Sequence, residues 1–543
     1  LTPRADQDGS GSPGSATAAG GVRAAEQCLL PSTSRLPAVD LNGRRNLSKS
    51  KLMAFRQCRR RLWLEVHYPD LREDSDAAKS RYRTGYLVGE TARRLYDPEG
   101  RGAVIDLETE GTAQALERTY VLLETSQPIF EAGFAAGGGI AFADVLLPVP
   151  RQGEPAWRMV EVKSTTRVKD YQRDDVAVQA YVARAAGVRL DSVAVAHVDS
   201  SWVYPGEGRY EGLLKEHDLS GEAFARRDEV RSWIDAAQSV VDQASEPDVD
   251  PGRHCTTPFE CGFIAHCSRD RARAEYPVAW LPRVRTKALK AHLAQPGVVD
   301  MRDVPDELLD AKQLQVKTLT LQGSAWLDQA GAARRLRRHE TPMCFLDFET
   351  VQFAVPIWPG TRPYQQLPFQ FSVHRLRQDG VLEHDEHLDL SGKDPSRDFI
   401  LPLLRACGDR GAIFVYNASF ERARIRELGE RFGRFRAELE ALIERIVDLL
   451  PIARQHYYHP KQEGSWSIKK LLPTAVRDLD YASLDGVHDG EAAMAAYLEA
   501  IDPATDPERK AVLERQLLAY CRLDTYAMAR VWQVFAGRDD LRL

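Results

Sequence analysis

The sequence predicts an α/β protein built from two modules, and three observations carry that expectation. At 543 residues the chain exceeds what a single hydrophobic core organises. Two strand-like runs, Gly139 to Leu147 and Trp157 to Lys163, flank a Pro/Gly-rich turn and lead into an amphipathic segment from Tyr171 to Arg184. Far downstream a second apolar run, Pro342 to Thr350, opens another series of strands that closes on a long helical pattern. The expected organisation is a leader over 1–45, an α/β module over 46–275, a helical connector over 276–340, and a second module over 341–543 with a mixed sheet and flanking helices.

Bulk properties narrow the function classes. Formal charge at neutral pH is −6, so nucleic-acid binding has to come from local basic patches and not from overall charge. No run of about 18 apolar residues occurs, so no membrane span is expected. The first apolar pair, Leu29-Leu30, is too short for a secretory signal, which makes a cytoplasmic location the expectation. Eight cysteines in that setting are expected as thiols or metal ligands.

Taken in order, residues 1–45 are rich in Gly, Ser, Ala and Pro, lack an apolar period, and are expected to be disordered. Order is expected to begin at Leu47, with Ser48 capping a helix whose Leu52, Phe55 and Leu62 follow helical spacing. Arg44 to Arg61 holds eight basic residues and no acid. It reads either as a solvated face or as a phosphate-contacting surface that uses Lys49, Lys51, Arg59 and Arg60. A second helix is expected from Arg81 to Tyr96, then, beyond the strand pair, a strand at Ser192 to His197 and a helix from about Gly221 to Ala244.

The strand pair carries the first candidate site. Strand side chains repeat every second residue, so Glu161 and Lys163 share one face while Val160 and Val162 take the other. Asp144 on the partner strand can bring a second carboxylate to that face, with Gln179 on the helix beside it. Two carboxylates hold a hard cation such as Mg2+, and an adjacent lysine orients or deprotonates an attacking water. Further on, Cys255, Cys261 and Cys267 form a compact loop bent by Pro258 and Gly262, and Cys58 is the candidate fourth ligand. Zinc ribbons use close cysteine pairs two residues apart, absent here, whereas iron–sulfur clusters accept more varied spacing.

An early S-x-S-x-L…C helix, then Asp…Glu-x-Lys, then Gln-x-Tyr and a cysteine triplet together resemble the RecB-type nucleases of the PD-(D/E)XK superfamily, including those of CRISPR adaptation. The resemblance covers roughly residues 46–270. It implies a restriction-endonuclease-like fold, metal ligands at Asp144 and Glu161, a catalytic Lys163, a supporting Gln179, and a 4Fe–4S cluster on Cys58, Cys255, Cys261 and Cys267. Two features depart from the family. Its G-x-x-x-H-E pattern appears here as Gly85-Tyr-Leu-Val-Gly89-Glu90, so the usual metal-binding His is missing and only Glu90 can assist. The triplet also lacks the family's close cysteine pair.

The second module opens on Asp347-Phe-Glu349, whose acids share one strand face while Leu346 and Phe348 can pack behind it. Strands are expected at Phe369 to Leu376, Leu382 to Leu390 and Ala412 to Tyr416, and Asn417-Ala-Ser-Phe-Glu421 then enters a helix. From Lys510 to Phe535 a helical pattern stacks Tyr520 one turn before Asp524. D-x-E, then N-x-x-F-acid, then Y-x-x-x-D resembles the DEDD exonucleases of the RNase H-like fold, in their tyrosine variety. The resemblance covers about 340–540 and implies Mg2+ or Mn2+ on Asp347, Glu349 and Asp524, with Tyr520 orienting water. Glu421 stands where the family has Asp, and Asp448 is a rival for that role. Trp466, Lys469 and Lys470 interleave an aromatic ring with two cations, which suits an unpaired strand.

These readings make a metal-dependent nuclease the expected function, acting on DNA more readily than RNA, at ends or on single strands, in repair or defence. Two alternatives stand beside it: a nucleic-acid-binding iron–sulfur protein in which only the C-terminal exonuclease is active, and a redox-sensing scaffold.

Overall fold

The computed structural model describes residues 46–150, 155–269, 274–295, 297–476 and 478–538, and the expected leader lies outside them. The architecture is mixed α/β, with a separate sheet in each half of the chain. Among the described residues no helix is long and apolar enough to cross a membrane.

The N-terminal sheet runs in the order Ala103–Val104, Ile129–Ala136, Gly139–Val149, Ala156–Lys163, Leu190–Val198 and Leu214–Asp218, with Leu47–Ser48 alongside the start of Gly139–Val149. Its centre is an antiparallel meander, and Ala156–Lys163 then pairs in parallel with Leu190–Val198. That parallel step needs a crossover, supplied by the helix Asp170–Ala185, whose Val176, Val178 and Val182 are fully buried. The strand Ile129–Ala136 had no counterpart among the expected elements. Ser48 caps Lys49–Gln57 by accepting from the Lys51 amide at 3.3 Å, but the single helix expected there is two. Cys58 adopts an extended conformation between Lys49–Gln57 and Arg59–His67. The helix expected over 221–244 is likewise divided, into Ser220–Ala225 and Arg227–Val241.

The C-terminal sheet runs Leu382–Leu388, Leu367–Leu376, Met343–Val351, Ile413–Val415, Ile446–Asp448. The first three strands are antiparallel and the last two join in parallel. Alternation along Met343–Val351 divides two cores. Phe345 and Val351 pack with the long helix Pro507–Ala536, while Leu346 and Phe348 pack on the other side with Ser396–Cys407 and Ser419–Arg431. Asp347 and Glu349 therefore face Pro507–Ala536. The stretch read as a connector is built into this core: Val316, Ala332 and Leu336 are fully buried in it, and Trp326–Leu327 pairs with Tyr457–Tyr458.

The chain between Val351 and Leu367 packs on the N-terminal half. Ala354 joins Val88, Val198 and Leu213 in a small apolar cluster. Backbone pairs link Tyr204 to Thr361 at 2.9 Å and Gly360 to Tyr204 at 2.8 Å, and the Tyr364 hydroxyl donates to the carbonyl of Ser164. The strand bearing Glu161 and Lys163 and the strand bearing Asp347 and Glu349 thus end against one shared strap.

Candidate functional site

Two acid clusters and one cysteine cluster emerge. In the N-terminal sheet Val145 pairs with Val160, so the next position brings Asp144 opposite Glu161. Asp144 accepts the Val162 amide at 2.6 Å. Glu161 is 1 % exposed and is surrounded by donors: Lys163 at 2.5 Å, Lys49 at 2.8 Å and the Gln179 amide at 2.6 Å. Lys163 also reaches Asp175 at 2.7 Å, and Lys49 lies 3.5 Å from it. Burial would lower the pKa of both lysines, but Asp175, Glu161 and Asp144 reverse that and raise it. Lys163 is therefore a fixed cation here, fitted to orienting a water more than to deprotonating one. Burial, then the Glu161 charge, pushes Asp144 well up; burial opposes ionisation of Asp175, yet Lys163 and Lys49 carry it below the usual carboxylate range.

Several expectations change on this geometry. Lys49, read as a phosphate contact, is bound inside the acid cluster. Glu90 accepts instead from Tyr86, one turn back on its own helix, at 3.3 Å. Val88, two positions before it, packs with Val198, Leu213 and Ala354. The additional acid is Glu131, level with Asp144 between the paired positions Phe130–Val145 and Ala132–Ala143. Its backbone is left-handed, with φ at 57°, a strained setting for a non-glycine residue. Burial and Glu161 raise its pKa. Glu131 could have been suspected as the lone acid in an apolar run, and Asp175 as the residue one helical turn before Gln179.

In the C-terminal cleft Asp347, Glu349 and Asp524 each place an oxygen within 4.8 Å of the others. Among the described residues this is the one such group of three possible ligands. Burial, then repulsion by neighbouring acids, pushes Asp347 well up and Glu349 to about 8; burial takes Asp524 to about 6 against the opposing Tyr481, Lys469 and Tyr520. Tyr481 donates to Asp524, and Tyr520 lies beside the same acids; burial and those negative charges keep both hydroxyls protonated. Lys469 reaches the cleft as its cation, with Nζ 5.1 Å from the Tyr520 ring centre. Glu421 is 2 % exposed, acts on Asp347, is pushed to about 8 by burial, and leaves Oε2 without a partner. Asp448 is differently occupied: its carboxylate accepts the amides of Asn417 at 3.0 Å, Ala418 at 3.1 Å and Leu450 at 2.9 Å. Buried oxygen donors with an orphan among them, and too little positive charge, fit a hard divalent cation.

Cys58, Cys255, Cys261 and Cys267 line one small cavity. Gln57 pins the first helix there, donating to the carbonyls of His254 and Phe259, each at 2.7 Å. Burial raises the thiol of Cys261 and takes Cys267 to about 11. All four cysteines are free thiols.

The basic run is mostly neutralised from within. Arg56 pairs with Asp174 at 3.2 Å, Arg60 with Glu246, and Arg61 with Glu65 at 2.8 Å. Exposed Arg59 donates to the Asp248 carbonyl at 3.2 Å, and Lys51 is half-buried. Trp466 is 5 % exposed and its indole donates to the Tyr457 carbonyl, so its ring is part of the core and not a stacking platform. Lys470 pairs with Glu463 at 2.6 Å.

A family model described as a domain of unknown function, DUF2779, matches residues 344–467. The matched span contains Asp347, Glu349, Glu421 and Asp448 and stops short of Asp524. A search of curated proteins finds no match.

Two predictions follow from the charge balance and the thiols. Glu349 and Glu421 rise from an ordinary 4.5 to about 8, so the folded protein holds protons that the unfolded chain has lost. In EDTA the stabilisation from these groups is complete below about pH 4.5 and disappears as pH rises through 8. Thermal melts should show the rise in Tm produced by Mn2+ growing across that window; a pH-independent rise would contradict the assignment. Protein purified without oxygen should be brown and carry iron with acid-labile sulfide, and Cys58→Ala should remove both. A cluster bridging Cys58 and Cys255 closes a loop of about 200 residues, so its loss should cost roughly 5 kcal/mol by cross-link entropy. Colourless protein with stoichiometric zinc would contradict it.

Proposed function

We propose that the protein is a metal-dependent nuclease whose principal active site is the C-terminal acid cluster, organised as in DEDD exonucleases of the RNase H-like fold. The observation that carries this reading is the triad Asp347, Glu349 and Asp524, with ligand oxygens within 4.8 Å on a strand and the helix that crosses it. Strand order, with three antiparallel strands followed by two parallel ones, supports the same reading. Bound Mg2+ or Mn2+ would supply Lewis-acid charge at the attacking and leaving oxygens of a phosphodiester. Asp347, Glu349, Asp524 and Glu421 provide its oxygen donors. Tyr481 fixes the Asp524 carboxylate, Tyr520 offers a protonated hydroxyl to position water, and Lys469 offsets part of the cluster's negative charge.

The N-terminal half, read as a PD-(D/E)XK nuclease fold, has a more restricted role in this proposal. Lys49 and Lys163 occupy the space between Glu161 and Asp175, and Gly89 stands where the related nucleases have a metal-binding His. That arrangement favours a second reading, in which this half grips nucleic acid and the C-terminal cleft cuts it.

End-labelled single- and double-stranded DNA and RNA assayed with Mg2+ or Mn2+ test both readings. Asp347→Ala should lower cleavage by roughly 100-fold or more with little change in melting, since the lost charge faces a cleft and not a core. Tyr520→Phe should be milder. Glu421→Gln should cripple the enzyme, while Asp448→Asn should act mainly by loosening the 417–418 turn and so lower Tm. The reverse ranking would make Asp448 the ligand. Any cleavage left in Asp347→Ala should be insensitive to Lys163→Ala if the N-terminal half only binds; its further loss would assign cleavage to both halves. Full activity in Asp347→Ala would overturn the reading.

A further inference from the structure

A cavity of about 1020 Å3 lies between the 276–340 stretch and the C-terminal sheet, unused by the chemistry above. Arg283, Lys312 and Arg454 line it together with Trp280 and Tyr416, and Trp466 closes its floor. Among the described residues neither Arg283 nor Arg454 has a carboxylate within salt-bridge distance. The cavity's two acids are engaged elsewhere: Asp310 caps its helix through the Lys312 and Gln313 amides, each at 2.9 Å, and Glu463 pairs with Lys470. Burial, then the neighbouring Arg283 charge, lowers the pKa of Arg454, and burial lowers that of Lys312. Asp448 and Asp310 offset only part of this, acting on Arg454 and Lys312 respectively, and cations gathered with incomplete counter-charge favour an anion among them.

Local backbone points to the same cavity. Of six described non-glycine residues with left-handed φ, three line it: Arg283 at 51°, Asn417 at 80° and Glu463 at 52°. Gly464, at 72°, lies so close to the Trp280 carbonyl that an added Cβ would fall 1.6 Å from it. Strain of this kind persists where surrounding structure holds a particular shape. Two walls also continue into the acid cluster. Tyr416-Asn417 leads to Glu421, and Ser465 to Ile468 leads to Lys469.

We propose that this cavity holds the phosphodiester backbone of an unpaired nucleic-acid strand whose end lies in the Asp347–Glu349–Asp524 cleft. The guanidiniums of Arg283 and Arg454 contact successive phosphates, and half-buried Trp280 offers the stacking face that Trp466 does not. This inference rests on the nuclease reading for its substrate, and it is tested without turnover.

The test uses the full chain carrying Asp347→Ala, in EDTA, with fluorescence anisotropy of labelled oligothymidylate at several salt concentrations. Adding Arg283→Ala and Arg454→Ala should weaken binding at least about tenfold and flatten the log–log salt slope by about 1.4, two phosphates at about 0.7 each. The matching Arg→Lys pair should retain the slope, which separates lost charge from misfolding. Unchanged affinity and slope in the double-Ala chain would overturn the inference. So would displacement of the oligonucleotide by inorganic phosphate or a mononucleotide at equal phosphate concentration, which would make the cavity a small-anion site. A protein that binds in this way but never cleaves would sink the nuclease reading and leave the site standing; one that cleaves with an unaltered slope would sink only the site.

Discussion

Repulsion among Asp347, Glu349 and Asp524, held within 4.8 Å and largely out of water, is the constraint to which the C-terminal half is fitted. Charges of one sign at that separation in a low-dielectric cleft cannot all ionise unless protons or cations balance them. The raised pKa values of Asp347 and Glu349 follow from this imbalance together with burial. The N-terminal cluster meets the problem differently. Glu131, Asp144, Glu161 and Asp175 also act on one another, but Lys49 and Lys163 pair with Glu161 and Asp175 among them. Two lysines of the chain offset part of the charge in the N-terminal cluster, whereas Lys469 alone acts on Glu349 and Asp524.

The strap from Val351 to Leu367 gives both clusters a common boundary. Lys163 is followed directly by Ser164, whose carbonyl receives the Tyr364 hydroxyl, and Glu349 lies two residues before the strap begins. Ala354 anchors it among Val88, Val198 and Leu213. The 276–340 stretch adds a second tie on the C-terminal side, because its helices complete the core behind the cleft.

Much of this was legible where periodicity controls position. Alternation placed Glu161 with Lys163 and Asp347 with Glu349, and the one-turn step stacked Tyr520 on Asp524, because those spacings are set by backbone geometry alone. Cys58, the candidate fourth ligand, lines the same cavity as the other three. The misses concern long-range contact. Lys49 sits 112 residues from Glu161 in sequence, and no local pattern separates a lysine on a solvated face from one buried against a carboxylate. Trp466 shows the converse: a suggestive composition says nothing about burial. Arg283 and Trp280 gave no signal, since the cavity they line exists only after the 276–340 stretch has folded onto the sheet.

The central claim is that the C-terminal cluster needs a divalent cation and the N-terminal cluster does not. Calorimetric titration of the full chain with Mn2+, comparing Asp524→Asn with Glu161→Gln, tests it most directly. The account predicts that Asp524→Asn abolishes the tightest Mn2+ binding and that Glu161→Gln leaves it intact; loss of that binding in Glu161→Gln, with Asp524→Asn unaffected, would contradict it.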